Sequence, residues 1–315
     1  MDFLSNFGLF FFKTITILTA ILIVLGFVFS QKKRLSDAIK VSCLNEDLHE
    51  QKQNIIKKLK WKHLDSKLKI QELIKKPKIF ILDFNGDLKA SQSQQLRDEI
   101  TSIVSIAQPG DEVMIRLDSP GGSVNGYGLA ASQIERLRQH HLPITVCIDQ
   151  VAASGGYLMA CIADKILAAP FAIVGSIGVV SQLPNFNKWL KKHDIDFEQI
   201  TAGEYKRTLT IFGENTNEGR KKYAEDLEKI HHYFKQHVCS YRPQLQIEKV
   251  ATGEHWLASD GMSLGLIDEL KTSDEWILER ASTHQLIHIK KQKIPTIVEK
   301  FLKPSVSEIL EYLKK

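Results

Sequence analysis

From Pro77 onward the sequence alternates short apolar, β-rich runs with helix-like stretches, and this alternation limits the fold more than any other feature. The runs are "KIFILDF", "DEVMIRLD", "PITVCID", "KILAAP" and "IDFEQITAG"; among them lie "GYGLAASQIERLRQHH", "GGYLMACIA" and "NFNKWLKKHD". Parallel strands need a crossover, and a helix is the crossover that also covers a sheet face, so the pattern predicts an α/β domain around a largely parallel sheet. "GRKKYAEDLEKIHHYFKQHVCSYR" predicts a long amphipathic helix. The run from Phe171 to Leu183 is too short, and too broken by glycine, to cross a bilayer; it reads as a buried core segment.

The stretch before Pro77 has a different character. "FGLFFFKTITILTAILIVLGFVFSQKKR" contains an uncharged run from Thr14 to Ser30, extended to Gly8 if Lys13 snorkels. That is enough for a bilayer span. With no small-x-small cleavage site before the basic cluster, it reads as an uncleaved single-pass anchor rather than a secretory signal peptide. Lys32, Lys33 and Arg34 follow the span, whereas Asp2 and Lys13 lie on its other side, so charge asymmetry places the body of the protein in the cytoplasm. Residues 31–77 are rich in Lys, Gln, Glu and Asp and read as a solvated helical stalk, a membrane-surface helix or a partly disordered linker. The expected organisation is therefore an anchor at 1–30, a charged stalk at 31–77, the main domain at 78–285 and a basic tail at 286–315. That tail contains an amphipathic candidate, "PSVSEILEYLKK".

Several function classes are disfavoured. The net charge of +5 comes from the flanks, and aromatics are not interleaved with basic residues, so nucleic acid is not an expected partner. Cys43, Cys147, Cys161 and Cys239 are scattered without a CxxC pair, which suggests neither zinc nor a disulfide framework. HExxH, GxGxxG and GxxxxGK[ST] are absent, and no metal or cofactor is expected.

Three glycine-bearing segments follow expected strands: "RLDSPGGSVNGYG", "VAASGGYLMA" and "PFAIVGSIGV". Such turns expose backbone N–H groups, and two converging N–H groups can stabilise a developing oxyanion. Ser154 in "VAASGGY" is either a nucleophile on a tight turn or a small residue at a close backbone approach. A serine nucleophile needs a base, and no histidine lies in these segments. The candidate is Lys206 in "TAGEYKRTLT", which serves as a base only if an apolar surrounding favours its free amine; otherwise it is a solvated surface charge.

Taken in order, "DSPGGSV", "VAASGGY", "GSIGV" and "GEYKRTLT" resemble the signal peptide peptidase A family of serine–lysine peptidases, family S49, and the separation of Ser154 from Lys206 matches that family. The resemblance runs from the anchor to about Leu270. It implies a ClpP/crotonase-like fold of stacked ββα units, with Ser154 as nucleophile, Lys206 as general base and Ser176 orienting the lysine. It further implies an oxyanion hole from the N–H groups of Gly121 or Gly122 and of Gly155. The substrates implied are membrane-derived or unfolded, signal-peptide-like peptides with small or apolar side chains, cleaved by a homo-oligomer at the bacterial inner membrane. Family analogy favours the periplasmic side, against the charge asymmetry.

Two rivals share much of this pattern. A crotonase-type enzyme acting on acyl thioesters shares the fold but needs no lysine paired with Ser154. A catalytically inactive membrane-anchored scaffold would not need Ser154, Lys206 and Ser176 together.

Overall fold

The computed structural model describes residues 2–32, 38–61 and 70–292. The chain forms two compact units, residues 1–40 with 291–315, and residues 41–290. The segment "PSVSEILEYLKK" lies outside the described residues.

In the first unit, α1 (Asp2–Lys32) is a continuous helix of 31 residues. Its stretch Phe7–Val24 has a mean hydropathy of 2.2 and is long and apolar enough to cross a bilayer. Thr14, Thr16 and Thr19 each donate their hydroxyl to the carbonyl four residues earlier, at 2.8–2.9 Å, so these three hydroxyls are satisfied within the helix.

The remaining elements follow in chain order: β1 (Ala38–Cys43), α2 (Leu44–Leu59), α3 (Ile70–Ile74), β2 (Lys78–Asn85), α4 (Ser93–Ile106), β3 (Glu112–Asp118), α5 (Val124–Gln139), β4 (Ile144–Ile148), β5 (Val151–Ala153), α6 (Gly155–Ala160), β6 (Lys165–Ala168) and β7 (Ile173–Gly175). After these come α7 (Asn187–Lys192), α8 (Asn217–Tyr241), α9 (Ile247–Val250), β8 (His255–Leu257), α10 (Ala258–Ser263), β9 (Glu269–Leu270), α11 (Ser273–Arg280) and β10 (Gln285–Gln292). A seven-stranded sheet runs β1-β10-β2-β3-β4-β6-β9, and a small sheet runs β5-β7-β8. From β10 to β9 the large sheet is parallel; in the small sheet β5 and β7 are parallel and β8 is antiparallel.

The central strands are buried on both faces, which is why "KIFILDF" and "EVMIRLD" read as near-continuous apolar runs. Ile79, Ile81, Met114, Cys147, Leu167 and Leu286 form one core layer with Trp276 and Ile277 of α11. Three times the chain passes from a strand of the large sheet to the small sheet and then to a helix. The passages are β3, the Ser119–Ala152 bridge and α5; β4, β5 and α6; and β6, β7 and, after the short α7 and an irregular arm, α8. This repetition is the stacked ββα architecture that the family resemblance implies. Each passage places one glycine-bearing turn beside the previous one.

Three sequence expectations need redrawing. The segment 286–315 is not wholly a tail, because Leu286 and its neighbours form β10 between β1 and β2. Part of 31–77 is not a free stalk. Leu44 and Leu48 of α2 pack on the core layer, and buried Asn45 donates to Ala281 O (2.9 Å) and His284 O (3.0 Å) and accepts from Leu286 N (2.7 Å). Finally, "IDFEQITAG" forms no strand; it lies in an exposed irregular arm between α7 and α8, where no neighbouring strand offers it a ladder.

Candidate active site

The three glycine-bearing turns meet edge to edge. After β3, Ser119 N donates to Val151 O (2.7 Å) and Ala153 N donates to Ser119 O (3.0 Å), which ties the first turn to β5. Gly121 then turns at φ +89°, a left-handed conformation that favours glycine. A Cβ at that position would stand 2.7 Å from the Cβ of Ser154 and 2.8 Å from Ala153 O, so no other residue brings this turn so close to the second one.

Ser154 follows β5 directly and adopts φ 52°, ψ −118°. This is strained backbone for a residue with a Cβ, of order 1–3 kcal/mol, and it persists because both ends are fixed. Ser154 N donates to Gly175 O (2.8 Å), and Ser154 O accepts from Leu158 N (2.9 Å). Ser176 stands at the equivalent position one strand over, since Ala153 pairs with Gly175, and it also has φ 52°. Its N–H donates to Glu254 O (2.7 Å), and its hydroxyl lies 3.5 Å from Gly253 O.

Ser154, Ser176, Gly121, Gly122 and Gly155 all line one cavity of about 710 Å³. The N–H of Gly121 is engaged by Ser119 Oγ (3.2 Å), whereas those of Gly122 and Gly155 have no hydrogen-bond partner among the described residues. The Ser119 hydroxyl is in turn 2.6 Å from Tyr127 Oη, and Tyr127 donates to Asp87 O (2.9 Å). Burial pushes the Tyr127 phenol up, so it stays protonated and holds the turn. The short α6, six residues long, contributes directed N–H groups here rather than an extended macrodipole.

Lys206 is not brought to this cavity by its own chain. It lies exposed in the arm between α7 and α8, its N–H donating to Gly203 O (3.2 Å), and it is absent from the cavity lining. The arm is knitted at its base by Asn185, which donates to Thr210 O and Gly213 O at 2.9 Å, and by Asn187, which donates to Phe212 O at 2.9 Å. Its surroundings are apolar and uncovered: Val180, Phe186, Trp189, Phe197 and Tyr205 are exposed, and Ile200 is 94% exposed.

Among the cavity residues that no sequence motif marks are Glu135 and His237. Ile230, Phe234, His237 and Tyr241 recur at helical spacing along α8, and that stripe was the available signal for His237. Cys147 and Cys161 are buried and offer no thiolate; burial pushes the Cys147 thiol up to about 12.

Comparison with known proteins identifies the family. Peptidase family S49 matches residues 136–286, and the peptidase family S49 N-terminal region matches residues 2–134. "Probable protease SohB" of Haemophilus influenzae is 43% identical, covering 95% of this chain and 92% of that protein. "Probable protease SohB" of Buchnera aphidicola subsp. Schlechtendalia chinensis is 44% identical, covering 89% of this chain and all of that protein. Among solved structures, the 1510-N membrane-bound stomatin-specific protease, as a mutant with a substrate peptide, shares 13% identity over 72% of this chain and 97% of its own, with a TM-score of 0.46.

Proposed function

The chain belongs to peptidase family S49, and from that premise we propose that it is a membrane-anchored serine endopeptidase with Ser154 as nucleophile and Lys206 as general base. The observation that carries this reading is the strained Ser154 turn, fixed at a cavity wall beside the uncommitted N–H groups of Gly122 and Gly155. Ser154 Oγ attacks the scissile carbonyl while the free amine of Lys206 accepts its proton. The C–N bond then breaks, the proton passes to the leaving amine, and an acyl-enzyme remains for water to hydrolyse. Gly122 and Gly155 supply the oxyanion donors. Ser176, one strand from Ser154, directs the lysine. Helix α1 anchors the chain, and membrane-derived or unfolded peptides bind extended along the glycine-bearing edges.

The position of Lys206 adds an oligomeric requirement. The uncovered apolar arm that carries it suits burial against a second copy, which would deliver Lys206 to a neighbouring Ser154. The test mixes two inactive full-length proteins, Ser154→Ala and Lys206→Ala, in detergent. Peptide cleavage returning in the mixed assembly supports delivery between copies. A mixture that stays inactive, while each variant still assembles like wild type, refutes it. The same exposed position of Lys206 is what favours the second reading, an inactive scaffold, and that reading holds if wild type cleaves no peptide.

A further inference from the structure

The cavity holding Ser154 has a second pole of opposite character. Helix α5 lines it with Val124, Gly128, Ala131 and Glu135 at successive turns. At 1.5 Å per residue, Glu135 lies about 12 Å along the axis from Tyr127, whose ring occupies the space where a Cβ on Gly155 would fall. Between the poles the walls are apolar, formed by Ala131, Leu158, Ile230 and Phe234.

At the far pole, Glu135 Oε1 accepts from the Tyr241 hydroxyl (2.8 Å) and lies 3.9 Å from His237 Nδ1. His237 Nε2 is 3.1 Å from Leu158 O. A carbonyl oxygen only accepts, so the imidazole proton sits on Nε2 and Nδ1 of the neutral ring carries a lone pair. Burial lowers the His237 pKa and so favours that neutral ring. A carboxylate and a lone pair therefore face the same space. Among the described residues, no lysine or arginine lines the cavity to answer them. Of the nearest cations in sequence, Arg136 is bonded to Gln133 and Thr101; Arg138 is bonded to Ile162 O and Asp164 and lies 5.4 Å over the Tyr241 ring, outside the cavity lining.

We propose that this acceptor-rich pole is a specificity pocket for a cationic nitrogen of the bound peptide, with Glu135 as its selecting residue. The proposal rests on the peptidase reading above. A lysine or arginine side chain suits both the apolar walls, through its aliphatic stem, and the pole, through its head. At about 3.3 Å per residue of extended peptide, a side chain one or two positions from the scissile bond reaches it. A free peptide amino terminus has the same charge without the stem.

The test uses the full chain in detergent and peptides that differ at one position, as Lys, Arg, norleucine or Glu, each with a free or an acetylated amino terminus. Binding is read by fluorescence anisotropy on the Ser154→Ala protein, alone and combined with Glu135→Gln or Glu135→Lys; turnover is read separately on wild type. The Lys and Arg peptides should bind about tenfold tighter than norleucine. That preference should vanish in Glu135→Gln and turn toward Glu in Glu135→Lys. Tighter binding of free than of acetylated peptides, following Glu135 with Lys and norleucine equal, assigns the pole to the peptide terminus. Equal binding of all the peptides, or a preference unmoved in both Glu135 variants, overturns the proposal. Charge-selective binding without wild-type turnover would uphold the pocket while refuting the peptidase reading.

Discussion

Replacing Asp83 by asparagine should remove a specific, pH-dependent part of the stability of the large sheet. Asp83 sits on β2 and joins both neighbouring strands: Oδ1 accepts from Arg116 Nε on β3 (2.6 Å), and Oδ2 accepts from His288 Nε2 on β10 (2.9 Å). Burial alone would raise the carboxyl pKa, but the hydrogen bonds and charges of His288 and Arg116 outweigh it and hold the group at about 2. Because the folded value lies below the unfolded one of about 3.9, the group stabilises the fold above that pH. The contribution is lost as pH falls from about 4 through 2. The full gap is worth about 2.5 kcal/mol, and solvent screening at a carboxylate that keeps some exposure reduces this to roughly 1–2 kcal/mol. Urea unfolding of wild type and Asp83→Asn should therefore differ by roughly 1–2 kcal/mol at pH 6, and the difference should close between pH 4 and pH 2. A difference that stays constant across that range, or no difference at pH 6, would refute the reasoning.

Two further perturbations address the fold and the site. Asn45→Ala leaves Ala281 O, His284 O and Leu286 N without their side-chain partner. It should cost about 2–4 kcal/mol in urea unfolding, whereas an unchanged midpoint would return α2 to the status of a solvated stalk. Gly121→Ala forces a Cβ between Ser154 and Ala153 at φ +89°. A cost of about 2–4 kcal/mol, lowering the thermal midpoint by roughly 5–15 °C, is expected together with loss of serine reactivity. Retained midpoint and reactivity would show that the turn tolerates the displacement.

Much of this architecture is legible locally. The buried strands β2, β3, β4 and β6 announce themselves because a sheet covered on both faces demands unbroken apolar runs, and "SPGG", "ASGG" and "VGSIGV" mark the turns that expose N–H groups. What escaped reading depends on distant partners. "QLIHIKKQ" of β10 looks like a basic tail until Leu286 and Ile289 are seen buried and His288 paired with Asp83. Conversely, "IDFEQITAG" has strand composition but no ladder to join. The site divides the same way. The resemblance singled out Ser154, Ser176, Gly122 and Gly155 through short motifs on turns, and they line one cavity, whereas the pairing of Glu135 with His237 joins two helices and has no short motif. Spacing along the chain also says nothing about which copy's serine Lys206 would serve.

The central claim is that Ser154 is a nucleophile activated by Lys206. It is tested most directly by treating the full chain with a serine-acylating peptide electrophile and mapping the adduct by mass spectrometry. The expected result is a single adduct on Ser154 in wild type, strongly reduced in Lys206→Ala. An unlabelled Ser154 in assembled wild type, or labelling undiminished without Lys206, would contradict it.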